Sequence, residues 1–231
     1  MKYLRSARSR GHANFGWLNS KHSFSFGQYH DPAHMGFGSL RVINDDQVTA
    51  GRGFDTHPHA NMEIMTYVTK GALEHRDSMG KASIIKPGDL QVMSAGTGVS
   101  HSEFNASQTD PVHFLQIWVV PEAQGLQPSY DQRHFDGLGG KLRLLASRGG
   151  RGGSLTVHQD IDLYASHLEA NETANLPLRE GRGVWVQLVK GALVVNDQVM
   201  QPGDGLALAE ETHVAISATQ DAEFLLLDVA L

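Results

Sequence analysis

Apolar and polar positions alternate through most of the chain's readable segments. Glu63-Ile64-Met65-Thr66-Tyr67-Val68 carries a loose period-two pattern, as do Leu90-Gln91-Val92-Met93 and His113-Phe114-Leu115-Gln116-Ile117-Trp118-Val119-Val120. Val184-Trp185-Val186-Gln187-Leu188-Val189 repeats the type. Period two marks strands, because successive side chains point to opposite faces of a sheet. Turn signals separate the runs at Lys70-Gly71, Lys86-Pro87-Gly88-Asp89 and Lys190-Gly191. Many short strands closed by such turns predict an all-β protein, an antiparallel barrel or sandwich. Around Ile161 to Leu168 the pattern is read as short helix.

An internal repeat refines this picture. The segment from Tyr67 reads Y-V-T-K-G-A-L-E-H and the segment from Leu188 reads L-V-K-G-A-L-V-V-N. Each is followed by a P-G-D turn, at Pro87-Gly88-Asp89 and Pro202-Gly203-Asp204. The shared order and approximate spacing predict two copies of one barrel in tandem, residues 1–134 and 135–231. Between the halves, Ser147-Arg148-Gly149-Gly150-Arg151-Gly152-Gly153-Ser154 reads as a mobile surface loop. It is too short for an arginine–glycine nucleic-acid segment.

Composition adds exclusions. The 231 residues are 40% hydrophobic and 19% charged, with 25 glycines, which suits turns and short strands more than long helices. A formal net charge of -6 gives no global attraction for nucleic acid or an anionic membrane. Without cysteine there is no disulfide, thiolate nucleophile or zinc-thiolate site. Met1-Lys2-Tyr3-Leu4-Arg5 leads into polar sequence with no apolar core of a secretory signal, and no run of 18 apolar residues occurs. A cytoplasmic protein is the expectation.

The 13 histidines direct attention to metal chemistry. In His57-Pro58-His59 the two imidazoles are two residues apart, so on a strand they share a face with Cα atoms about 6.6–6.8 Å apart. Pro58 holds His57 extended and suits a strand end or edge. His101-Ser102-Glu103 is a second pair with the same spacing, after the glycine-rich Ala95-Gly96-Thr97-Gly98-Val99. Two such pairs on two strands can close a metal site inside a barrel. Glu63 is a rival acid, because positions 57, 59 and 63 share a face if no bulge intervenes. His75, His113, His134 and His167 join no constellation, and His158 and His213 each stand alone.

These residues carry a resemblance. Gly51 followed by His57 and His59 resembles the first cupin motif. Gly96-Thr97-Gly98-Val99-Ser100-His101 with Asn105 resembles the second, with Gly96 where a proline usually stands. More closely, the chain resembles the pirin family, bacterial members in particular. The matching stretches are Arg10-Gly11-His12-Ala13, Phe24-Ser25-Phe26, Arg41-Val42-Ile43-Asn44-Asp45-Asp46, His57 through Glu63, and Met93 through Gly98 with His101-Ser102-Glu103. In the second half, only Val157-His158-Gln159-Asp160 adds a motif-like match.

The resemblance implies a bicupin with one divalent transition metal in the first barrel. Iron comes first, with Mn, Co, Ni, Cu and Zn also compatible with the donors. The implied ligands are His57, His59, His101 and Glu103, with Glu103 preferred over Glu63 on the family pattern. Sliding the Lys70-Gly71 turn onto Lys190-Gly191 sets Pro177, Arg179 and Gly183 opposite His57, His59 and Glu63, so the second barrel is expected to be metal-free and structural.

The implied activity is a quercetin 2,3-dioxygenase-like opening of a flavonol ring with O2, releasing carbon monoxide. The metal would lower the pKa of the flavonol hydroxyl, and Glu103 would take its proton. Met62, Met93 and Phe114 are candidate apolar walls. The alternative is a metal-dependent redox sensor that binds regulatory partners. Direct nucleic-acid or membrane binding is not expected, and two barrels in one chain favour a monomer.

Overall fold

The computed structural model describes residues 1–231, almost all of them in strands and the turns between them. The first half contains β1 (Lys2–Arg5), β2 (Gly11–Asn14), β3 (Leu18–His22), β4 (Leu40–Val48), β5 (Gly53–His59), β6 (Glu63–Lys70), β7 (Leu73–Asp77), β8 (Ala82–Ile85), β9 (Asp89–Ser94), β10 (Val99–Asn105), β11 (Val112–Val119) and β12 (Ser129–His134). The second contains β13 (Arg143–Arg148), β14 (Leu155–Val157), β15 (Ile161–Leu168), β16 (Thr173–Pro177), β17 (Arg182–Val195), β18 (Gln198–Met200), β19 (Gly205–Ala209) and β20 (His213–Ala230). No helix is long and apolar enough to cross a membrane.

Two sheets make the N-terminal cupin unit: a seven-stranded sheet in the order β12-β9-β6-β11-β4-β3-β2, and a four-stranded sheet in the order β5-β10-β7-β8. The C-terminal cupin unit is one nine-stranded sheet built around β17 and β20. Those two strands run 14 and 18 residues and pair along most of their length, with register shifts between Leu188 and Leu193 where β17 bends. The expected division of the chain has one strand on the other side of it: β1 pairs with β19, so Lys2–Arg5 complete the C-terminal sheet.

The sequence repeat corresponds to a repeated turn. Gly88 and Gly203 have φ of 89° and 85°, a region that favours glycine. In each copy the following aspartate closes the turn. Asp89 Oδ2 accepts from the Lys86 N–H at 3.0 Å, and Asp204 Oδ2 accepts from the Gln201 N–H at 2.8 Å.

Alternation decides where the cores lie. On the seven-stranded sheet, Ile43, Met65, Tyr67, Leu90, Val92, Leu115 and Ile117 point outward and join Leu145, Leu163, Trp185, Leu225 and Leu227 in one buried cluster of 26 residues. The two units are therefore fused sheet against sheet by the hydrophobic effect. The interior of the C-terminal unit is a second cluster of 16 aliphatic and aromatic side chains. The N-terminal interior differs: its apolar side chains form clusters of 7 and 4 residues, and a polar row crosses the sheet between them. That row follows the strand register, His22 opposite Asn44, Asn44 opposite Gln116, Gln116 opposite Thr66, and Thr66 opposite Gln91.

Two local expectations are corrected. Ile161–Leu168 is a strand, not helix, because all eight residues pair with β20 and bury Ile161, Leu163, Ala165 and Leu168. The glycine-rich Ser147–Ser154 segment is an anchored turn. Ser147 and Ser154 hydroxyls meet at 2.7 Å across its base, and Arg151 forms a bidentate pair with Asp162.

Candidate metal centre

The two ligand-type pairs lie on neighbouring strands of the four-stranded sheet. β10 runs antiparallel to β5 and sets His101 opposite His57 and Val99 opposite His59. The ladder shifts between His101 and Glu103, which brings Glu103 opposite Phe54. Ring centroids of His57, His59 and His101 lie 4.5–4.9 Å apart. One ring nitrogen from each of the three falls within 4.8 Å of the others. Glu103 falls in a second set of that size, with His75 and His101. The histidine triad thus forms one tight group, and the carboxylate stands at its margin.

Hydrogen bonds fix which nitrogens face the centre. His57 Nδ1 lies 2.7 Å from the Asp55 carbonyl, which can only accept, so Nδ1 donates and Nε2 keeps its lone pair. His75 Nε2 lies 2.9 Å from Asp77 Oδ2, and by the same reasoning it donates. A neutral His75 therefore presents Nδ1 as an acceptor, and His101 Nδ1, 3.4 Å away, donates to it. This leaves the lone pair on His101 Nε2, an atom that is buried and without a partner. An orphaned imidazole nitrogen beside two other imidazoles fits a metal ion.

Electrostatics agree with that fit. Burial pushes His59 down to about 4, with the His57 charge adding to the effect. Burial pushes His101 down to about 2, followed by the charges of His57, His59 and His75. These two imidazoles are neutral at pH 7, as ligation requires. Burial pushes the Glu103 carboxyl up to about 7 and the nearby Asp46 adds to the rise, against the hydrogen bonds from Gln116 and Thr66. Gln116 Nε2 donates to both carboxylate oxygens at 2.9 and 2.8 Å. The Trp118 indole N–H donates to Gln116 Oε1 at 3.3 Å, which orients the amide.

The site opens into a cavity of about 800 Å³. Its aromatic walls are Phe15, Trp17, Phe26, Phe54 and Trp118, and its polar floor includes His22, Asn44, Asp46 and Gln116. Trp118 meets His59 edge-on at 4.9 Å and Phe26 at 5.3 Å. The β2–β3 hairpin supplies one side of the cavity, with Phe15 exposed at its tip.

The structure corrects the expected apolar walls, sets the rival acid Glu63 apart from the histidines, and adds a residue that the sequence did not assign. Met62, Met93 and Phe114 do not line the cavity: Met93 belongs to a buried cluster on which Met62 packs, and Phe114 fills a separate one. Glu63 leaves the His57–His59 face, because the chain turns at Asn61 (φ 51°) and starts β6 in the other sheet. Its Oε2 accepts from the backbone N–H of His158 at 3.0 Å and from His158 Nδ1 at 3.1 Å. His75, unassigned from sequence, backs His101. The available signal was strand parity: His75 and Asp77 are two apart in β7, directly across the ladder from Glu103 and His101. His113, His134 and His167 pair with Asp45, Asp89 and Glu223 away from the centre, and His213 lies exposed opposite Pro177.

Comparison with known proteins agrees with this architecture. The Pirin family model matches residues 3–119, and the model described as the quercetinase C-terminal cupin domain matches residues 144–229. The chain is 50% identical over 229 residues to a quercetin 2,3-dioxygenase of Escherichia coli K12, covering 99% of both chains. It is 42% identical to a putative quercetin 2,3-dioxygenase of Pasteurella multocida, covering 99% of this chain and 100% of that one. The crystal structure of the bacterial pirin YhhW from Escherichia coli in complex with nickel(II) superposes with a TM-score of 0.96. It is 49% identical, covering 100% of this chain and 99% of that one. With a matching family model over each half and this identity along its whole length, the chain belongs to the pirin family.

Proposed function

We propose that the protein is a metal-dependent dioxygenase that opens the central ring of a flavonol such as quercetin with O2. The observation that carries this reading is the convergence of three histidine nitrogens within 4.8 Å, one of them buried and unpartnered, on the wall of an aromatic-lined cavity. The relatives named quercetin 2,3-dioxygenase and the related nickel complex support it. His57, His59 and His101 would hold a divalent transition metal, with Glu103 as the fourth donor. Iron is the metal expected from the family, and nickel is the ion in the related structure.

When bound, the metal supplies Lewis acidity toward a phenolic oxygen. The remaining work falls to the chain. Glu103, at the margin of the triad, is the carboxylate placed to receive a hydroxyl proton. Gln116 and Thr66 hold that carboxylate in place, and Trp118 holds Gln116. Phe26, Phe54 and Trp118 offer flat faces for a planar substrate and displace water from around it. The experiment is to load the protein with iron, nickel, manganese or cobalt and follow flavonol loss with oxygen uptake. The reading requires turnover with at least one metal and none after His57→Ala. Tight metal binding without turnover for any metal would overturn it.

A further inference from the structure

The cavity holds a second polar group that neither the histidine triad nor Glu103 uses. Ser20 and His22 on β3 and Asn44 and Asp46 on β4 all line it, and each is at least 96% buried. The ladder sets Ser20 opposite Asp46 and His22 opposite Asn44, so the four form one patch on the sheet's inner face. Buried polar groups normally find partners. Here Asp46 Oδ1 is buried and has none.

The hydrogen bonds decide what the patch offers. His22 Nδ1 lies 2.8 Å from Asn44 Oδ1, so Nδ1 donates and Nε2 is left as an acceptor. Ser20 Oγ lies 3.3 Å from the same His22 Nδ1, and the ladder sets Ser20 beside Asp46. The His22 ring is held between Phe26 at 5.4 Å and Tyr29 at 6.3 Å, which fixes its plane. The two free functions are His22 Nε2, an acceptor, and Asp46 Oδ1, which accepts when ionised and can donate when protonated; a hydroxyl group can answer both, and no lysine or arginine lines the cavity. Such a patch rejects carboxylates and phosphates and suits a ligand that brings hydroxyl donors. Asn44 and Gln116 are adjacent across the ladder, so the patch continues directly into the Glu103 end of the cavity.

We infer that Ser20, His22, Asn44 and Asp46 form a hydroxyl-recognition subsite, which binds the phenolic hydroxyls that a polyhydroxylated flavonol carries away from its metal-binding end. The inference rests on the flavonol reading above and deepens it: the substrate class becomes polyhydroxylated flavonols rather than any 3-hydroxyflavone. Sites built to hydrogen-bond a hydroxyl discriminate strongly against the analogue lacking it, because their buried polar groups are then left unpaired.

The test is equilibrium binding to the metal-loaded protein without oxygen, followed by ligand absorbance, for quercetin and for 3-hydroxyflavone, which lacks every other hydroxyl. The wild type is expected to prefer quercetin by about 10- to 100-fold. Asp46→Asn, which keeps the shape, and His22→Phe, which keeps the packing on Phe26 and Tyr29, should each reduce that ratio to within about threefold. A ratio unchanged in both variants, or a wild type with no preference, overturns the subsite while leaving the flavonol reading intact. Failure of both flavonols to bind the wild type overturns the flavonol reading and the subsite with it.

Discussion

Substituting Asp77 by Asn should weaken metal binding without touching a ligand. Asp77 Oδ1 accepts from the backbone N–H groups of Met79 at 2.9 Å and Lys81 at 3.1 Å, and Oδ2 accepts from His75 Nε2. In Asp77→Asn the amide oxygen keeps the two backbone bonds, so the NH2 group faces His75 Nε2. That nitrogen must now accept, His75 Nδ1 carries the proton, and it donates to His101 Nδ1. The His101 proton is driven onto Nε2, the atom that faces the histidine triad. Loss of an outer partner of a metal-ligating histidine typically costs 10- to 100-fold in affinity, about 1.4–2.7 kcal/mol. The check is a competition titration against a chromophoric chelator, paired with nitrogen-15 NMR of the histidine tautomers in the metal-free protein. A variant that melts normally, keeps the His101 Nδ1–H tautomer and binds metal within threefold of wild type would refute the relay.

Three further outcomes follow from the same geometry. Glu63→Ala should retain metal and lose about 1–3 kcal/mol of stability in urea unfolding, because the His158 N–H and ring lose their acceptor. Burial, followed by the Asp45 charge, pushes the Asp46 carboxyl from 3.8 up to about 7 against the Ser20 hydrogen bond. Between those values native Asp46 holds a proton that the unfolded chain has lost, so the Asp46 contribution to stability falls as pH rises from about 4 to about 7, while the depressed His59 and His101 act in the opposite sense. The unfolding free energy of the metal-free wild type relative to Asp46→Asn should therefore decline between pH 5 and pH 8, and a difference independent of pH would refute this. Trp118→Phe keeps a ring against His59 and Phe26 but removes the indole bond to Gln116 Oε1. Metal content should be unchanged and flavonol turnover should drop by about tenfold, read as kcat in single-metal preparations.

Much of the centre was legible in the sequence because strand chemistry has a short period. Two x-plus-two pairs identify a shared face, and the register of β5 with β10 brings His57 and His101 directly opposite. The same parity argument, which kept Glu63 as the rival acid to the preferred Glu103, holds only while the chain stays in one strand, and the turn at Asn61 ends it. Cavity walls were not legible. Met93 and Phe114 look no different in sequence from Phe26 and Trp118, and only the spacing between sheets separates core from lining. Ile161–Leu168 was misread because its polar and apolar residues fit either period, and pairing with β20, remote in sequence, decided for strand. The polar row left a trace that could have been used: Asn44, Thr66, Gln91 and Gln116 each interrupt an apolar strand at an inward position.

The most direct test of the central claim joins metal content to turnover in the same preparations. Wild type, His57→Ala and His101→Ala would be purified, loaded with iron or nickel, and assayed for bound metal, oxygen uptake, flavonol loss and carbon monoxide release. The account predicts one metal ion per wild-type chain, oxygen uptake equal to flavonol loss, and the disappearance of both metal and turnover in the two variants. Turnover that persists in variants stripped of metal, or a wild type that holds metal and consumes no flavonol, would contradict it.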